Sequence, residues 1–333
     1  MAIFRHTTDL PTGALGPVLA IGNFDGVHRG HQAVIEKAGR LARAFETTQA
    51  VLTFEPHPRR FFQPDAAPFE LTPFRLKARL IEALGVDNLF VLRFDRALSR
   101  MSAQDFVRDI LVAGLRVRHV VVGDNFAFGH KRRGDLALLQ RLGLDHGFGV
   151  SGLTRVTGPL GQAYSSTRVR DCLKAGDPTR AALLLGRYWE IEGRILRGDR
   201  RGRQLGFPTA NIKLNGTLEP ARGVYAVRAG IDRRDGPLWH DGVANLGVRP
   251  TVDGERLLLE VHLFDLDQDL YGRHMRVALV DYLRPEIKFD GLDSLKAQIA
   301  EDGRRARVIL DREAWDSSWP ASPSMSVTAE PNV

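Results

Sequence analysis

The chain of 333 residues holds one cysteine, Cys172. A lone thiol closes no intrachain disulfide and builds no cysteine-based metal site, so a reducing, cytoplasmic setting is expected. No apolar run approaches the ~20 residues of a membrane-spanning helix, and the opening stretch MAIFRHTTDLP lacks the apolar core of an export signal, so no membrane partner is expected. The net charge of +7 comes mostly from arginines scattered among acids rather than gathered in blocks. This charge fits a nucleotide-polyphosphate substrate as well as nucleic acid; a basic nucleic-acid-binding protein is the alternative from another class, although neither an RNA-recognition signature nor a helix-turn-helix pattern stands out. A P-loop kinase is excluded because no Walker A string occurs. What the chain does have is 43% hydrophobic and 26% charged residues, a globular balance with length enough for two cores.

The first core is organised around Ile21 to His31, IGNFDGVHRGH. The run Val18-Leu19-Ala20-Ile21 reads as a buried strand, Gly22 and Gly26 as a tight turn, and an amphipathic helix starts near Arg29. Glycines admit close approach of a ligand to the backbone. First-turn N–H groups lack partners, and the helix dipole is positive there, so Gly22, Asn23, Phe24, Asp25 and Gly26 are expected to line an anion site. His28 and His31, three residues apart, fall on one side of the first turn and can donate to a polyphosphate.

The pattern then alternates. A helix over Ala33 to Phe45 precedes the strand Ala50–Phe54, which ends in Glu55-Pro56-His57-Pro58; the two prolines make an extended loop at the carboxyl end of a strand, placing His57 near the first site. Thr72 is expected to cap a helix opened by Pro73 and stopped by Gly85, followed by a strand over Asn88–Phe94. Ser102-Ala-Gln-Asp105 reads as a capping box. The strand His119–Val122 leads into Gly123-Asp124-Asn125-Phe126 and the basic run Lys131-Arg132-Arg133. Strands alternating with helices predict a parallel, doubly wound sheet. Further on, Tyr164-Ser165-Ser166-Thr167-Arg168-Val169-Arg170 places hydroxyls at a helix N-terminus and an arginine one turn later, a second anion cradle.

HRGH after a strand, GDNF after another and SSTxxR at Ser165, Ser166, Thr167 and Arg170, in that order, resemble the FAD synthetase branch of the nucleotidyltransferase superfamily. The resemblance implies a Rossmann-like α/β domain that transfers adenylate from ATP to FMN, forming FAD and releasing pyrophosphate. It further implies phosphate contacts from His28, His31 and Arg170 with Mg²⁺, and nucleotide contact at Asn125. His57, in a string the family shares, is expected to touch the flavin. Asp177-Pro178 starts a short helix ending at Gly186, where the first domain, 1–186, is expected to close.

Beyond Arg187 closely spaced strands over 188–195, 223–231, 242–248, 257–266 and 274–282 predict a small antiparallel barrel. Its first connection carries Gly193, Gly198, Gly202 and Gly206, then Phe207-Pro208-Thr209-Ala210-Asn211. Thr209 and Asn211 are hard oxygen donors suited to Mg²⁺. In Leu259-Glu260-Val261-His262-Leu263, alternation points Glu260 and His262 away from the Leu/Val face. GRQLGFPTAN, GVANLGVRPT and LEVHLFD resemble the riboflavin kinase family. That resemblance implies ATP binding by the glycines, Pro208, Thr209 and Asn211, Mg²⁺ at Thr209 and Asn211, and Glu260 as general base in phosphorylation of riboflavin to FMN. Periodic apolar residues from Leu292 predict C-terminal helices over a domain 187–316, and the Ser/Pro-rich tail 317–333 reads as disordered. Together the motifs predict a bifunctional flavin-cofactor enzyme; the alternative within enzymes is one working module of the two.

Overall fold

The computed structural model describes residues 1–158, 161–197, 206–214, 216–233, 236–251, 254–266 and 268–312, without the side chains of 249–251 and 254–256. Gly198, Gly202 and the tail 317–333 lie outside the described residues.

The first half alternates as expected: β1 (Ala2–Phe4), β2 (Val18–Ile21), α1 (Arg29–Ala44), β3 (Gln49–Glu55), α2 (Pro58–Phe62), α3 (Phe74–Glu82), β4 (Asn88–Arg93), α4 (Arg96–Arg100), α5 (Ala103–Asp105) running into a wide helical segment Phe106–Gly114, β5 (His119–Gly123), α6 (Leu136–His146), β6 (Gly149–Leu153), α7 (Ser166–Lys174) and α8 (Pro178–Leu185). The strands form one parallel sheet in the order β1-β4-β3-β2-β5-β6. The chain lays down β3 and β4 on one side of β2 and β5 and β6 on the other, so β2 and β5 are neighbours and their carboxyl ends border the crevice in which open α/β sheets bind ligands. The β2 strand runs into the GNFDGVH turn and β5 into the GDNF loop, so sheet order alone brings these two motifs together. Both sheet faces are buried: Leu19, Ile21, Leu52 and Val120 on one side, Val18, Ala20, Val51 and Val121 with Ile35 and Ala38 of α1 on the other.

Two local expectations are revised. Thr72 does not cap α3, whose N-terminal flank is Pro73 with no side-chain cap; its hydroxyl instead accepts from the Gly26 N–H at 2.9 Å. Helix α6 and strand β6 were not foreseen, the latter because GVSGL is half-buried and offers little apolar alternation. The Ser102 cap does form, its hydroxyl accepting from Asp105 N–H at 3.0 Å.

The second half comprises β7 (Trp189–Arg194), β8 (Ala210–Lys213), β9 (Gly223–Ile231), β10 (Leu238–Thr251), β11 (Gly254–Leu263), β12 (His274–Arg284) and α9 (Leu292–Arg312). The strands pair antiparallel in the order β7-β12-β9-β10-β11-β8. The ring nearly closes where Leu196 N–H, just past β7, donates to the Asn211 carbonyl of β8 at 2.9 Å. Its interior holds Ile191, Ile212, Tyr225, Val227, Leu246, Leu259, Val261 and Val277. Among the described residues one C-terminal helix, α9, replaces the several expected; Ala306 and Leu310 seal it against Val224, Ala226 and Val280 on the outside of the barrel. The barrel core also includes Val169 and Leu173 of α7 and Ala181, Leu184 and Leu185 of α8.

Candidate active sites

The turn after β2 is an uncommon backbone. Phe24 (φ 49°), Gly26 (φ 84°) and Val27 (φ 42°) all take left-handed conformations. For a β-branched valine this is a strained position, which surrounding structure must impose. It does so by burial: Phe24 and Val27 are fully enclosed against Ile35 and Ala38. A Cβ at Gly26 would lie 2.8 Å from Leu71 Cδ1, so only glycine fits. The Gly26 backbone is held at both ends, its N–H by Thr72 Oγ1 and its carbonyl by Arg187 Nη2 at 2.9 Å.

His28 stands at the N-terminal flank of α1, and its Nδ1 accepts the His31 N–H at 3.3 Å. An accepting Nδ1 puts the neutral ring's proton on Nε2. The His28 and His31 rings stack with centroids 3.6 Å apart, and the edge of Phe24 meets His31 at 5.3 Å. Gly30 lets the His28 ring lie over the helix start, since a Cβ there would come within 3.1 Å of it. Burial pushes His28 down to about 4, with Arg187 and Arg170 adding to the effect and Asp25 opposing it. Burial and then the neighbouring His28 hold His31 well below its ordinary value, and burial pushes His57 down to about 4. The imidazoles are therefore neutral donors at pH 7, not cations. His31 Nδ1 is buried with no partner.

Asp25 and Arg170 form a largely buried pair at the edge of this turn. The Asp25 carboxylate accepts from the N–H groups of Leu71 (2.8 Å) and Thr72 (3.1 Å) and pairs with Arg170 Nη2 at 2.5 Å, while Arg170 Nε donates to the Phe69 carbonyl at 2.7 Å. Asp25 thus clamps the 69–72 loop and fixes Arg170, whose Nη2 and Nε are taken up by the Asp25 carboxylate and the Phe69 carbonyl. The Ser165 hydroxyl caps α7 by accepting from Arg168 N–H, and Ser166 Oγ donates to the Asp25 carbonyl at 2.8 Å, tying the two anion cradles together.

Asp25, the histidines, the Ser165 and Ser166 hydroxyls and Arg170 line one cleft of about 1210 Å³. Its wall includes Gly22, Asn23, His28, His31, His57, Asn125, Ser165, Ser166, Thr167 and Arg170, so the structure brings every motif of the first half together. Phe69 is boxed by Arg59, Arg60 and Arg170, with guanidinium carbons 4.5 to 5.5 Å from the ring centroid. Lys131 and Arg132, consecutive left-handed residues at the rim, also line it; sequence reading singled out their charge but not their place.

In the barrel, Asn211, Glu260 and Asn245 occupy one register across β8, β11 and β10, Glu260 between the two asparagines. Their chain neighbours Ala210, Ile212, Leu259, Val261, Ala244 and Leu246 belong to the barrel core, so the polar trio lies on the opposite, outer face, as alternation required for Glu260. The Oδ1 atoms of Asn211 and Asn245 are both buried and unpartnered. His262 Nδ1 donates to the Pro208 carbonyl at 2.9 Å and its ring meets Phe207 edge-on at 5.6 Å, pinning the segment before Thr209. Gly206 is left-handed (φ 89°), whereas Gly193 sits inside β7 opposite Met275, a strand position and not a phosphate loop. Asn245 was not singled out from sequence, although a lone amide between Ala244 and Leu246 on a strand was a signal.

A parallel, doubly wound sheet with a histidine-lined cleft, joined to a small antiparallel barrel that carries a carboxylate between two amides, has the layout of a two-domain transferase. Residues 12–168 match the FAD synthetase family and residues 185–310 the riboflavin kinase family. The chain is 46% identical over 296 residues to the bifunctional riboflavin kinase/FMN adenylyltransferase of Escherichia coli K12, covering 89% of this chain and 93% of that one. It is 44% identical over 310 residues to that of Pseudomonas fluorescens, covering 93% and 98%. A Streptococcus pneumoniae crystal structure described as a macrolide-efflux protein superposes with a TM-score of 0.81 at 30% identity, covering 92% of this chain and 98% of that one. No helix among the described residues is long and apolar enough to cross a membrane. The chain belongs to the bifunctional riboflavin kinase/FMN adenylyltransferase family, with an N-terminal FAD synthetase domain and a C-terminal flavokinase domain.

Proposed function

We propose that the two activities are divided between the two sites, with domain limits at 1–186 and 187–316. In the cleft, a phosphate oxygen of FMN attacks the α-phosphorus of ATP and pyrophosphate leaves. Neutral His28 donates through Nε2 to phosphoryl oxygens, and His31 beside it shares the load as negative charge grows. The exposed N–H groups at the starts of α1 and α7 cradle the remaining phosphates. Arg170, held by Asp25, contributes a fixed positive charge more than a mobile clamp. Asn125 contacts the nucleotide and His57 the flavin.

In the barrel, Glu260 accepts the proton of the riboflavin 5′-hydroxyl as that oxygen attacks the γ-phosphorus of ATP and ADP leaves with the bridging oxygen. Asn211, with a buried acyl oxygen that has no protein partner, and the half-buried Thr209 two residues before it are hard donors that fit Mg²⁺. Among the described residues no group of three or more His, Cys, Asp or Glu gathers to hold a metal. That fits an ion carried largely by substrate phosphates, as Mg²⁺ commonly is. The ion would neutralise phosphate charge at these two residues. We place the enzyme in the cytoplasm, in keeping with its single free thiol.

The observation that carries this reading is the convergence of all the first-half motifs on one cleft, remote in sequence from the Asn211–Glu260–Asn245 row. The test is to follow riboflavin, FMN and FAD by chromatography. His28→Ala should lower FMN-to-FAD conversion by about 10² to 10³, the usual cost of one transition-state donor, and leave riboflavin phosphorylation intact. Glu260→Gln should do the reverse. Equal loss of both products in either variant contradicts the division.

A further inference from the structure

We propose that Asn245 is the acceptor-side specificity residue of the kinase site, its Oδ1 receiving a hydroxyl of the polyol chain of the flavin. The proposal rests on the reading of Glu260 as base and Asn211 as phosphate-side ligand.

The geometry is a row of three. Adjacent strands lie about 4.8 Å apart, so Asn211 and Asn245 flank Glu260 and stand roughly 10 Å from each other. That backbone span sets the two amides on opposite sides of Glu260. In phosphoryl transfer the attacking and leaving oxygens lie roughly in line with phosphorus. Phosphates held on the Asn211 side leave the opposite side of Glu260 for the incoming hydroxyl, and Asn245 occupies that side.

The amide is also oriented for acceptance. Asn245 Nδ2 donates to Glu286 Oε1 at 3.1 Å, which turns Oδ1 to the other side, where it is buried without a partner. The Glu286 carboxylate reaches this position over Gly247, where a Cβ would collide with it, so Gly247 makes room for the carboxylate that fixes the amide. A buried acceptor left unsatisfied is costly, and a site built to hydrogen-bond a hydroxyl discriminates strongly against analogues that lack it. The flavin ring offers no hydroxyl; the polyol chain does.

The test is steady-state kinase kinetics on the full chain with riboflavin as substrate and lumiflavin, the same ring without the polyol, as competitive inhibitor. Asn245→Ala should raise KM for riboflavin at least 10-fold, leave the inhibition constant of lumiflavin within 2-fold and leave KM for ATP unchanged. Asn245→Ser, which restores a small acceptor, should recover part of the loss. FMN-to-FAD conversion by the same preparations reports that the chain is folded. Equal weakening of riboflavin and lumiflavin, a rise in KM for ATP alone, or no change in KM for riboflavin would overturn the proposal. Full kinase activity in Glu260→Gln would instead overturn the reading on which it rests, a result separable from the riboflavin/lumiflavin comparison.

Discussion

At the scale of single residues, the histidines set the pH behaviour of the adenylyltransferase cleft. Burial lowers His28 to about 4, while in the unfolded chain it titrates near its ordinary 6.5. The folded state therefore binds fewer protons than the unfolded one between these values. Stability from this group is complete above pH 6.5 and is lost as pH falls toward 4, by up to about 3 kcal/mol. Urea midpoints should drop between pH 7 and pH 5, and His28→Asn should flatten that dependence; an unchanged slope contradicts the burial assignment. The same depression has a ligand-linked consequence. A polyphosphate beside two neutral imidazoles favours their protonated forms, so ATP binding near pH 6 should take up protons. Titration calorimetry in buffers of different ionisation enthalpy would register this, and buffer-independent heats would mean the rings act only as neutral donors.

At the scale of elements, the turn between β2 and α1 is a strained piece fixed from outside. Thr72, Arg187 and Ser166 hydrogen-bond its backbone, and its apolar anchors Phe24 and Val27 pack under α1. Gly26→Ala would place a methyl against Leu71 in a left-handed conformation that L-residues rarely adopt. We expect a loss of about 1–3 kcal/mol in chemical denaturation and a larger proportional loss of FAD formation than of FMN formation. Retained adenylyltransferase activity at normal stability would show that the turn adapts. The barrel shows the converse economy: β8, β11 and β10 are ordinary alternating strands, and the site arises only from their register.

At the scale of the molecule, the two domains are joined through groups that serve both. Arg187, just before β7, is half-buried, and burial pushes it down to about 10, yet it reaches the Gly26 carbonyl in the turn between β2 and α1. Trp189, the first residue of β7, is buried and donates through Nε1 to the Leu71 carbonyl at 2.8 Å. Arg79 of α3 pairs with Glu192 of β7 at 3.1 Å. Helix α7 lines the first cleft with Ser166, Thr167 and Arg170, and α7 and α8 together pack into the barrel core. Arg187→Met, which keeps much of the volume and removes the donor, should lower FMN-to-FAD turnover about 10-fold while kinase turnover changes less, since the carbonyl it releases belongs to the phosphate turn. Parallel assays of both reactions check this; equal loss would mean that the joint supports only overall folding.

Local chemistry in the sequence determined a good deal of this. Apolar runs with glycine punctuation were enough for β2, α1, β3 and β9, and strict alternation was enough to turn Glu260 to the outer face. Histidine spacing at a helix start was enough to bring His28 and His31 to one side of the first turn, because residues three apart on a helix are neighbours. Other features depend on partners far away in the chain and were decided by tertiary structure alone. Asp25 reads as one more polar residue of a glycine-rich turn until Leu71, Thr72 and Arg170 converge on its carboxylate. Thr72 reads as a cap until Gly26 offers it an N–H. Asn211 falls on a strand of four residues, too short to register in a periodic pattern, and it meets Glu260 and Asn245 only through antiparallel pairing. Burial, which makes His28 neutral at pH 7, is the sum of contacts from many elements, and no local stretch of residues encodes it.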